Sequence, residues 1–594
     1  MGDIDSHRLL KSLFNGASEV IGRKEELNSI NVFPVADGDT GSNLASLMQG
    51  LLDNVPQKGN SIKELLDDVS SAALIGARGN SGIIFAQYLS GVAECYHQSE
   101  ISSKALVQAF QDSVNKAYEA VLEPKEGTIL SVISAWAQKL AASYEKGNSL
   151  EQSLIAAQSI AEEALIHTQF QMVILKKNRV VDSGAKGFYY FITGFTDAYC
   201  NQVTTVVSTS EINNQVIKFE KHEVTTEPSF RYCSEFILNQ PSISQNQLKN
   251  LLKKEGDSIV VAGNQKKLKI HVHTNTPGKI LALLEAYGSI MYQKVDDMQL
   301  QYQVTKKKRA RIAIVTDSIA DIPEAFILKH QIHVLPINIL TDESSYLDKL
   351  TINPEIIKEK QANGIKMSTA QPDIRTIDSL LSFLENKYKQ VLIITVSSKL
   401  SGTYQLIMQR IKEKKLSKDW IQVVDSRNNS VAQGLLVKKA VQFIEDGHAF
   451  EKVVEETNKT IDRIFIYVAV ADLSPMIQSG RIPSLIGTLV QKLRILPTVS
   501  LDHTGQGNLT GISFSQQQNI KKIMKNIFKF VKDDKLDEIA FAHVCAKEQA
   551  EHLEKRIRTE IGQPSSIVDS SAAIAISAGV GSIAIAGIKK ERKL

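Results

Sequence analysis

Apolar residues recur at three- and four-residue spacing through the first part of the chain, up to about residue 200. The stretches 61–73 and 104–122 show this spacing, which is typical of helices with one buried face. Short glycine-rich segments interrupt the pattern at 37–41, 76–82, 126–128 and 182–187. Because binding sites often lie on loops held by a rigid scaffold, we expect one end of a helical domain to carry a site.

Beyond residue 200 the pattern changes to short apolar runs. Those at 203–207, 230–238 and 268–273 predict a small α/β module over 201–304. From residue 311 onward such runs alternate with helical patterns, which indicates a largely parallel sheet; the predicted strands are 312–315, 334–340, 391–396, 421–424, 464–470 and 539–543. We therefore predict domains at 1–200, 201–304 and 311–594, with a basic linker at 305–310.

Composition narrows the class of protein. A chain of 594 residues is too long for one core, which agrees with several domains. The net charge of +4 is small for this length and argues against a nucleic-acid-binding protein, which usually carries a dense basic face. The 4 cysteines are scattered and form no Cys-x-x-Cys pair, so a reducing compartment is expected.

Two segments bear on membranes. The apolar run at 572–588 is short for a membrane span, and we interpret it as a buried element with a glycine-rich turn. The segment 520–532 is basic and amphipathic, which suits either an ordinary surface helix or a peripheral contact with an anionic membrane. With no secretory signal visible at the start of the sequence, we expect a cytoplasmic protein.

The sequence Asp37-Gly38-Asp39 carries the most informative chemistry. Two carboxylates one glycine apart can point at one hard cation, and Mg²⁺ prefers one or two carboxylates together with substrate phosphates. Asn31 lies slightly upstream as a further oxygen ligand. An Asp-Gly pair is also common in simple turns, so the pair by itself leaves both interpretations open.

The segment 76–82 precedes an apolar helix. Backbone N–H groups at such a start can hold a phosphate, and Asn80 and Ser81 would add side-chain donors. Arg78 would complement the phosphate charge. The alternative is a capped helix start with a solvated arginine.

Four motifs occur together in a fixed order: Asn-Val-Phe-Pro-Val-x-Asp-Gly-Asp-Thr-Gly-x-Asn, Gly-Ala-Arg-Gly-Asn-Ser-Gly, Glu-Gly-Thr-Ile-Leu and Val-Asp-Ser-Gly-Ala-Lys-Gly. With them the first 200 residues resemble the nucleotide-binding L subunit of dihydroxyacetone kinases and, more closely, the ATP-binding subunit of bacterial fatty acid kinase. The resemblance implies an eight-helix barrel that binds ATP through Mg²⁺ at Asp37 and Asp39. The nucleotide contacts it implies are Asn31, Thr40, Ser42, Asn43, Arg78, Gly79, Asn80, Ser81, Gly82, Thr128 and Asp182.

In the middle module, His271 and His273 are two residues apart on a predicted strand and so share a face. Cys233 lies on another predicted strand, with Glu235 on the same face. One cysteine and two histidines make a reasonable ligand set for Zn²⁺, although polar strand residues can also simply face solvent. The segment resembles the central domain of fatty acid kinase, and this resemblance strengthens the case for a zinc site.

The C-terminal half contains hydroxyl-rich segments at 368–372 and 397–403, each close to a predicted helix start. Strand-to-helix turns of a parallel sheet usually bind ligands, and helix N-termini favour carboxylate or phosphate. Each hydroxyl can equally be a helix cap. Motifs at 315–318, 368–372, 397–404, 424–426 and 479–482, with His543 at a strand end, make residues 311–590 resemble the DegV family, the fatty-acid-binding subunit of fatty acid kinase.

The DegV resemblance implies a two-lobed α/β fold and a fatty acid carboxylate held by Thr369, Ser401 and the Gly402 amide. The family's C-terminal loop usually reads His-x-Gly-Pro-Gly, whereas here Ser577 stands in the histidine position. A serine donates only as a neutral group. Arg481 is the candidate for the missing positive charge.

The favoured hypothesis is ATP-dependent phosphorylation of a bound fatty acid to an acyl phosphate, by both kinase halves in one chain and with a homodimer as a candidate assembly. The substitution at Ser577 motivates a second hypothesis, a lipid-binding or regulatory protein with little turnover. A third hypothesis, a small-ketone kinase, follows from the dihydroxyacetone kinase resemblance and is weakened by the DegV-like half.

Overall fold

A computed structural model describes residues 5–33, 38–56, 61–96, 102–200, 227–471, 496–532, 536–561 and 565–590. The chain divides into two compact units, Met1–Tyr302 and Gln303–Leu594, and each is described by itself. Across the described residues, no helix combines the length and apolar character that a membrane crossing requires.

The first unit begins with helices, as its apolar spacing predicts. Those described are α1 (Ser6–Gly22), α2 (Lys24–Ser29), α3 (Thr40–Asn54), α4 (Ile62–Gly76), α5 (Gly79–Cys95), α6 (Ser103–Ala120), α7 (Ile129–Glu145), α8 (Leu150–Gln171), α9 (Val173–Asn178) and α10 (Ser183–Tyr199). Apart from the short α2 and α9, neighbours along the chain pack side by side, and α10 returns to α1. The long helices therefore close into a ring, which confirms the helical N-terminal domain.

Caps and an aromatic core fix this ring. Ser61 caps α4 in a reciprocal pair with Glu64, which satisfies backbone donors that a helix start leaves free. Inside the ring, Phe85 makes edge-to-face contacts with Phe188 and Phe191. Such aromatic pairs add directional preference to the burial of large apolar surfaces.

An antiparallel sheet follows, in the order β2-β3-β1-β4. Its elements are β1 (Tyr232–Asn239), α11 (Gln245–Leu252), β2 (Asp257–Gly263), β3 (Lys267–Thr274), α12 (Pro277–Glu285), β4 (Ser289–Asp297) and α13 (Met298–Lys307). The strands predicted at 230–238 and 268–273 are confirmed with small shifts, whereas 203–207 lies outside the described residues. Helix α13 includes the first residues of the segment 305–310, which the sequence predicted as a linker.

The sheet is joined to the helical ring by its backbone. The Leu122 N–H donates to the Ile259 carbonyl at 3.2 Å. The Gly263 N–H donates to the Gln87 side chain at 2.5 Å. Val260 and Ala262 complete the apolar core of the helices. The outward face of α5 is thereby covered, which explains why this helix is apolar on nearly all sides.

The second unit contains a parallel sheet, a small antiparallel sheet and a large mixed sheet. Its first elements are β5 (Ile312–Asp317), α14 (Glu324–His330), β6 (His333–Leu335), β7 (Asn338–Leu340), β8 (Ser345–Leu347), α15 (Pro354–Ala362), β9 (Ser368–Ala370), α16 (Ile374–Lys387), β10 (Gln390–Thr395), α17 (Thr403–Glu413), β11 (Ile421–Asp425), α18 (Ser430–Glu445) and α19 (Phe450–Ile461). The remaining elements are β12 (Ile464–Ala469), β13 (Leu496–Leu501), β14 (Gly507–Ser513), α20 (Gln516–Lys532), β15 (Leu536–His543), α21 (Lys547–Ile561), β16 (Ser566–Asp569), α22 (Ala572–Ala578) and β17 (Ile583–Lys589).

The prediction of a largely parallel sheet holds for one of these sheets and is wrong for another. Strands β11-β10-β5-β6 are parallel. In the sheet ordered β14-β13-β12-β17-β15-β16, the pairs of β12 with β17 and of β15 with β17 are antiparallel. Apolar clusters cover both faces of this sheet, so its strands have the continuous apolar character that parallel strands usually show.

Three smaller predictions have clear outcomes. The predicted strand 334–340 is two strands, β6 and β7, because Pro336 between them has no N–H for a ladder. The apolar run at 572–588 is α22, a turn and β17, as expected for a buried element. The basic segment at 520–532 lies in α20, which packs Ile523 and Ile527 into the core of the large sheet.

Two buried carboxylates hold the start of α22. The Ser571 N–H donates to Asp321 at 2.9 Å, and the Ala572 N–H donates to Asp348 at 2.7 Å. Asp348 also accepts from the Ser318 hydroxyl at 2.6 Å. Burial nevertheless raises the pKa of Asp348 to about 6. The folded protein therefore holds this proton at pH values where the unfolded chain has released it.

We expect this carboxyl to lower stability as pH rises from about 4 to about 6, because only the unfolded chain has ionised fully there. For a shift of this size the loss is about 2 kcal/mol between these two pH values and approaches about 3 kcal/mol at higher pH. Asp348→Asn keeps an acceptor for Ala572 and cannot ionise, so its free energy of unfolding should fall less over this range. Urea unfolding at both pH values measures the difference, and equal losses in variant and wild type would contradict the assignment.

Candidate functional site

Several helix starts of the first unit lie together at one end of the ring. A side chain on Gly79, where α5 begins, would meet Asn43 in the first turn of α3 at 2.5 Å. One on Gly184, in the first turn of α10, would meet the Ser81 hydroxyl at 2.4 Å. The structure thus brings the start of α5 against Asn43 of α3 through Gly79, and against the start of α10 through Ser81, although these segments are far apart in sequence.

The start of α3 is fixed by a residue that the sequence reasoning missed. Asn28 accepts from the Ser42 N–H at 3.0 Å and donates to the Ser42 hydroxyl at 3.1 Å. Gly41 packs so closely on α2 that a side chain would meet the Lys24 carbonyl at 2.1 Å. Thr40 is buried. No local pattern identifies Asn28, because its partner is 14 residues away.

The predicted magnesium ligands are only partly described. Asp39 precedes α3, and its carbonyl accepts from the Asn43 N–H at 2.8 Å. Asn31 is buried, and its N–H donates to the Asn28 carbonyl at 3.3 Å. Asp37 lies outside the described residues, as does Arg481 in the second unit.

Asp182 is a buried carboxyl at the start of α10. It accepts from the Ala185 N–H at 2.8 Å, and burial raises its pKa to about 6. It also accepts from the backbone of Ile129, the residue after Thr128. The Thr128 hydroxyl donates to the Lys125 carbonyl at 2.7 Å. These contacts place the segment that contains Thr128 against Asp182 at the start of α10.

The glycine-rich segment 76–82 contacts the middle sheet. The Gly79 N–H donates to Glu235 Oε1 of β1 at 2.7 Å, so this amide already has an acidic partner. The Arg78 side chain donates to the Ser46 hydroxyl at 2.9 Å. Asn80 and Gly82 follow in the first turn of α5, where Asn80 Oδ1 is buried and accepts no hydrogen bond from the described residues. The hydrogen bond from Gly79 to Glu235 therefore links the glycine-rich segment 76–82, the candidate phosphate-binding loop, to the sheet of the middle domain.

The face of the sheet that carries Glu235 is unusually polar. Its register places Glu235 between His271 and Lys294, and Cys233 between His273 and Asp296. Glu235, His271 and Lys269 are each less than 5 % exposed. Polar groups are rarely buried without a specific partner, so a surface of this kind indicates a functional site.

Cys233, His271 and His273 form a cluster that could hold a metal ion, since their ligand atoms all lie within 4.8 Å of one another. His271 Nε2 lies 3.3 Å from His273 Nε2, a separation that suits two nitrogen ligands of one tetrahedral zinc. The other nitrogens face carboxylates: His271 Nδ1 is 3.6 Å from Glu235, and His273 Nδ1 is 3.3 Å from Asp257. His271 Nδ1 also lies 3.9 Å from Cys233 Sγ. Metal-binding histidines usually have such carboxylate partners.

Electrostatics support the same interpretation. Burial lowers the pKa of His271, which keeps its imidazole neutral and able to ligate. Burial, followed by the charges of Glu235 and Asp296, raises the pKa of the Cys233 thiol well above its ordinary value. The charge of Asp39 acts in the same direction, so the cluster lies within electrostatic reach of the predicted magnesium ligand. A cation at the cluster would relieve this concentration of negative charge.

The charge of Glu235 is itself balanced by lysines. Burial disfavours its ionisation, but the Lys269 ammonium at 3.0 Å and the His271 hydrogen bond outweigh burial and hold the pKa of Glu235 well below its usual range. Lys294 pairs with Asp296. Burial opposes the charge of Lys294, yet Asp296 and Glu235 raise its pKa.

In the second unit, the predicted carboxylate ligands lie on three neighbouring elements. Thr369 lies on β9, opposite Ile339 of β7. Gly402 caps α17, and a side chain there would meet the Gln371 amide, so the segment after β9 lies against the start of α17. Ser401 shares a hydroxyl hydrogen bond with Thr403 at 2.9 Å. These contacts bring Thr369, Ser401 and Gly402 into one region.

Ser577 lies on α22, which packs against β9. Its hydroxyl donates to the Ala573 carbonyl of the same helix at 2.9 Å. The side chain at the histidine position of the DegV pattern is therefore neutral and hydrogen-bonded within its own helix.

A buried acid in this unit supports the loop that follows β10. Asp317 accepts from the Val396 N–H at 2.6 Å and from the Gln433 amide at 3.1 Å. Burial raises the pKa of Asp317 to about 6. The motif at 315–318 marked this aspartate, but its partners lie 79 and 116 residues away.

Comparisons with known proteins agree with this organisation. Residues 34–197 match the DAK2 domain, residues 229–305 match the FakA-like middle domain of fatty acid kinases, and residues 311–590 match the DegV family of uncharacterised proteins. The order of these matches defines the class: a kinase-type helical domain with its middle domain, joined to a DegV domain. This domain content matches a fatty acid kinase fusion.

Individual relatives cover part of the chain. An uncharacterised protein of Staphylococcus aureus strain USA300 is 32% identical over 315 residues, which are 51% of this chain. The match covers 57% of that relative, so the chain spans little more than half of its length.

Solved DegV-family structures also resemble the chain. A fatty-acid-binding protein from Thermus thermophilus is 23% identical, with a TM-score of 0.44. The fatty acid binding protein DegV from Bacillus subtilis is 24% identical, with a TM-score of 0.43. They cover 47% and 48% of this chain and all of their own length.

We predict that Gly41→Ala lowers the free energy of unfolding by about 3 kcal/mol, because the new methyl group would overlap backbone atoms of α2 that cannot move independently. Gly22→Ala is the matched control. It has open space around it at the end of α1 and should be neutral or stabilising by about 0.5 kcal/mol. Urea unfolding measures both, and equal effects would show that the start of α3 is not packed as described.

Proposed function

We propose that this chain binds a fatty acid in its DegV domain and MgATP in its helical domain, and transfers the γ-phosphoryl group to the fatty acid carboxylate. The products are an acyl phosphate and ADP. The observation that carries the proposal is the order of DAK2, middle and DegV domains in one chain. It is supported by the contacts among helix starts at one end of the ring.

The nucleotide would lie at the starts of α3, α5, α7 and α10. Asp39, with Asp37, would hold Mg²⁺ through carboxylate oxygens, the ligands that this ion prefers. When bound, Mg²⁺ would neutralise part of the charge on the phosphates. Asn43 and Ser81, which contact the other helix starts, would orient the phosphates. The positive ends of the helix dipoles favour an anion at these starts.

The acceptor needs little chemical activation, because a carboxylate is already ionised at neutral pH. Thr369 and Ser401 would donate hydroxyl hydrogen bonds to it, and the Gly402 N–H at the start of α17 would add a third. In this mechanism Asp37 and Asp39 act as metal ligands and not as bases. Positioning and charge neutralisation supply the catalysis, as is usual for phosphoryl transfer.

The middle domain would hold a zinc ion at Cys233, His271 and His273. The donor set, the separation of the two Nε2 atoms and the carboxylate behind each histidine fit this ion. Zinc supplies a fixed link among these side chains when bound. We assign it a structural role at the edge of the nucleotide site.

A second candidate is a lipid-binding protein with little turnover, and Ser577 favours it. A histidine at this position could present positive charge to a transferring phosphoryl group, whereas the Ser577 hydroxyl donates to Ala573. Arg481 is the proposed replacement for that charge. The ketone kinase hypothesis is not favoured, because residues 311–590 match DegV.

The assay that separates these candidates is ADP release from purified protein with MgATP and oleate, palmitate, dihydroxyacetone or no acceptor. We expect release that depends on the fatty acid. Asp39→Ala should lower it on the order of 100-fold, because a metal ligand is lost, while leaving fatty acid bound. Asp53→Ala, an exposed carboxylate at the far end of α3, is the control and should keep activity. No fatty-acid-dependent release from wild type would reject the kinase proposal.

We also expect about one zinc per chain in freshly purified protein, measured by elemental mass spectrometry. Cys233→Ser removes a thiolate ligand and should bring the metal content well below one. Cys95→Ser changes a half-buried cysteine outside the cluster and should retain it. Wild-type protein without stoichiometric metal would overturn the zinc assignment.

A further inference from the structure

One oxygen of Glu235 faces two functional groups at once. Oε1 accepts from the Gly79 N–H at 2.7 Å and lies 3.6 Å from His271 Nδ1. The other oxygen pairs with Lys269 at 3.0 Å, and the side chain is 3 % exposed. Glu235 is therefore the direct physical link between the metal cluster and the start of α5.

We propose that Glu235 is a positioning residue through which zinc binding at Cys233, His271 and His273 strengthens nucleotide binding at the starts of α3 and α5. The inference rests on the proposed function, because it takes those helix starts as the nucleotide site. It adds a regulation of that site by the metal.

The hydrogen positions on the two histidines give the mechanism. A histidine that binds a metal through Nε2 carries its hydrogen on Nδ1, and here each Nδ1 faces a carboxylate that can accept it. If both histidines place their hydrogen on Nδ1, two Nε2 lone pairs face each other at 3.3 Å. Without a cation, this repulsion is relieved when His271, whose Nδ1 also has the Cys233 thiol 3.9 Å away, places its hydrogen on Nε2 and leaves Glu235 without that donor.

A zinc ion held by Cys233, His271 and His273 would remove the conflict. Both histidines would then keep Nδ1–H, and both carboxylates would keep their donor. Glu235 is then held by His271, Lys269 and the Gly79 amide together. Its position, and with it the direction of the Gly79 N–H, becomes fixed.

The effect reaches the nucleotide site through packing. Gly79 has a left-handed backbone, with φ at 60°, and lies against the Asn43 side chain in the first turn of α3. A shift of Glu235 would therefore change the placement of Gly79 and Asn43, next to Asp39. By linkage, if zinc tightens nucleotide binding by some factor, nucleotide tightens zinc binding by the same factor.

Asp257 provides a matched control within the same cluster. It faces His273 Nδ1 as Glu235 faces His271 Nδ1, but its side chain is 53% exposed on β2. Among the described residues, it makes no hydrogen bond to the segment 76–82. Loss of Asp257 should weaken zinc binding without breaking the link to α5.

The experiment measures both affinities on the full chain. MgADP binding is followed by calorimetry with zinc-loaded and chelator-stripped protein, and zinc affinity is measured by chelator competition with and without MgADP. We expect zinc to tighten MgADP binding about tenfold, with the same factor in the reverse direction. In Glu235→Gln, the ratio of MgADP affinities with and without zinc should fall to near one. In Asp257→Asn, this ratio should stay near the wild-type value, while zinc itself binds more weakly.

Because Glu235→Gln leaves Lys269 buried without a charged partner, the double variant Glu235→Gln with Lys269→Met serves as the folding-competent form. Three results would overturn the proposal and leave the kinase assignment standing. Zinc could leave the MgADP affinity of the wild type unchanged, or the wild type could bind no zinc. Asp257→Asn could also lose the effect of zinc on MgADP affinity as fully as Glu235→Gln does. MgADP that fails to bind even zinc-loaded wild type would instead contradict the nucleotide site itself.

Discussion

A buried carboxylate needs several donors to remain charged, and Glu235 receives them from different parts of the first unit. Lys269 and His271 come from the neighbouring strand β3, and the Gly79 N–H comes from the start of α5. This shared acceptor sets the position of the sheet on the helical ring, together with the backbone hydrogen bond from Leu122 to Ile259. The polar face of the sheet and the glycine-rich segment 76–82 thereby form one site.

The second unit uses the same physical principle in another place. Asp321 and Asp348 accept the first N–H groups around α22, where the helix dipole also favours negative charge. Ser577 lies on that helix, so the two aspartates set where the residue at the histidine position of the DegV pattern sits. In both units a carboxylate from one element fixes a helix start that carries a residue of the candidate site.

Much of this could be predicted from sequence, since local periodicity reports local structure. The spacing of apolar residues predicted the helical domain, and alternation along β3 placed His271 and His273 on one face. The Cys233 cluster was predicted because one cysteine and two histidines on neighbouring strands form a ligand set for Zn²⁺, and the resemblance to the fatty acid kinase central domain supported it. The motifs also identified the starts of α3, α5 and α10.

What was missed depends on contacts between distant residues. The hydrogen bond from Gly79 to Glu235 joins residues that are 156 positions apart, and no local sequence pattern at either residue predicts it. Asn28 was overlooked because its role is to hold Ser42. The antiparallel pairing of β12 and β15 with β17 was predicted wrongly, because burial on both faces removes the alternation that distinguishes such strands.

The central claim is that a fatty acid carboxylate accepts the phosphoryl group, and the product tests it most directly. Acyl phosphates react with hydroxylamine to give stable hydroxamates, which mass spectrometry identifies. Protein incubated with MgATP, oleate and hydroxylamine should yield oleoyl hydroxamate in proportion to the ADP formed, and none without ATP. ADP formation without hydroxamate, or no reaction with oleate bound, would contradict the account.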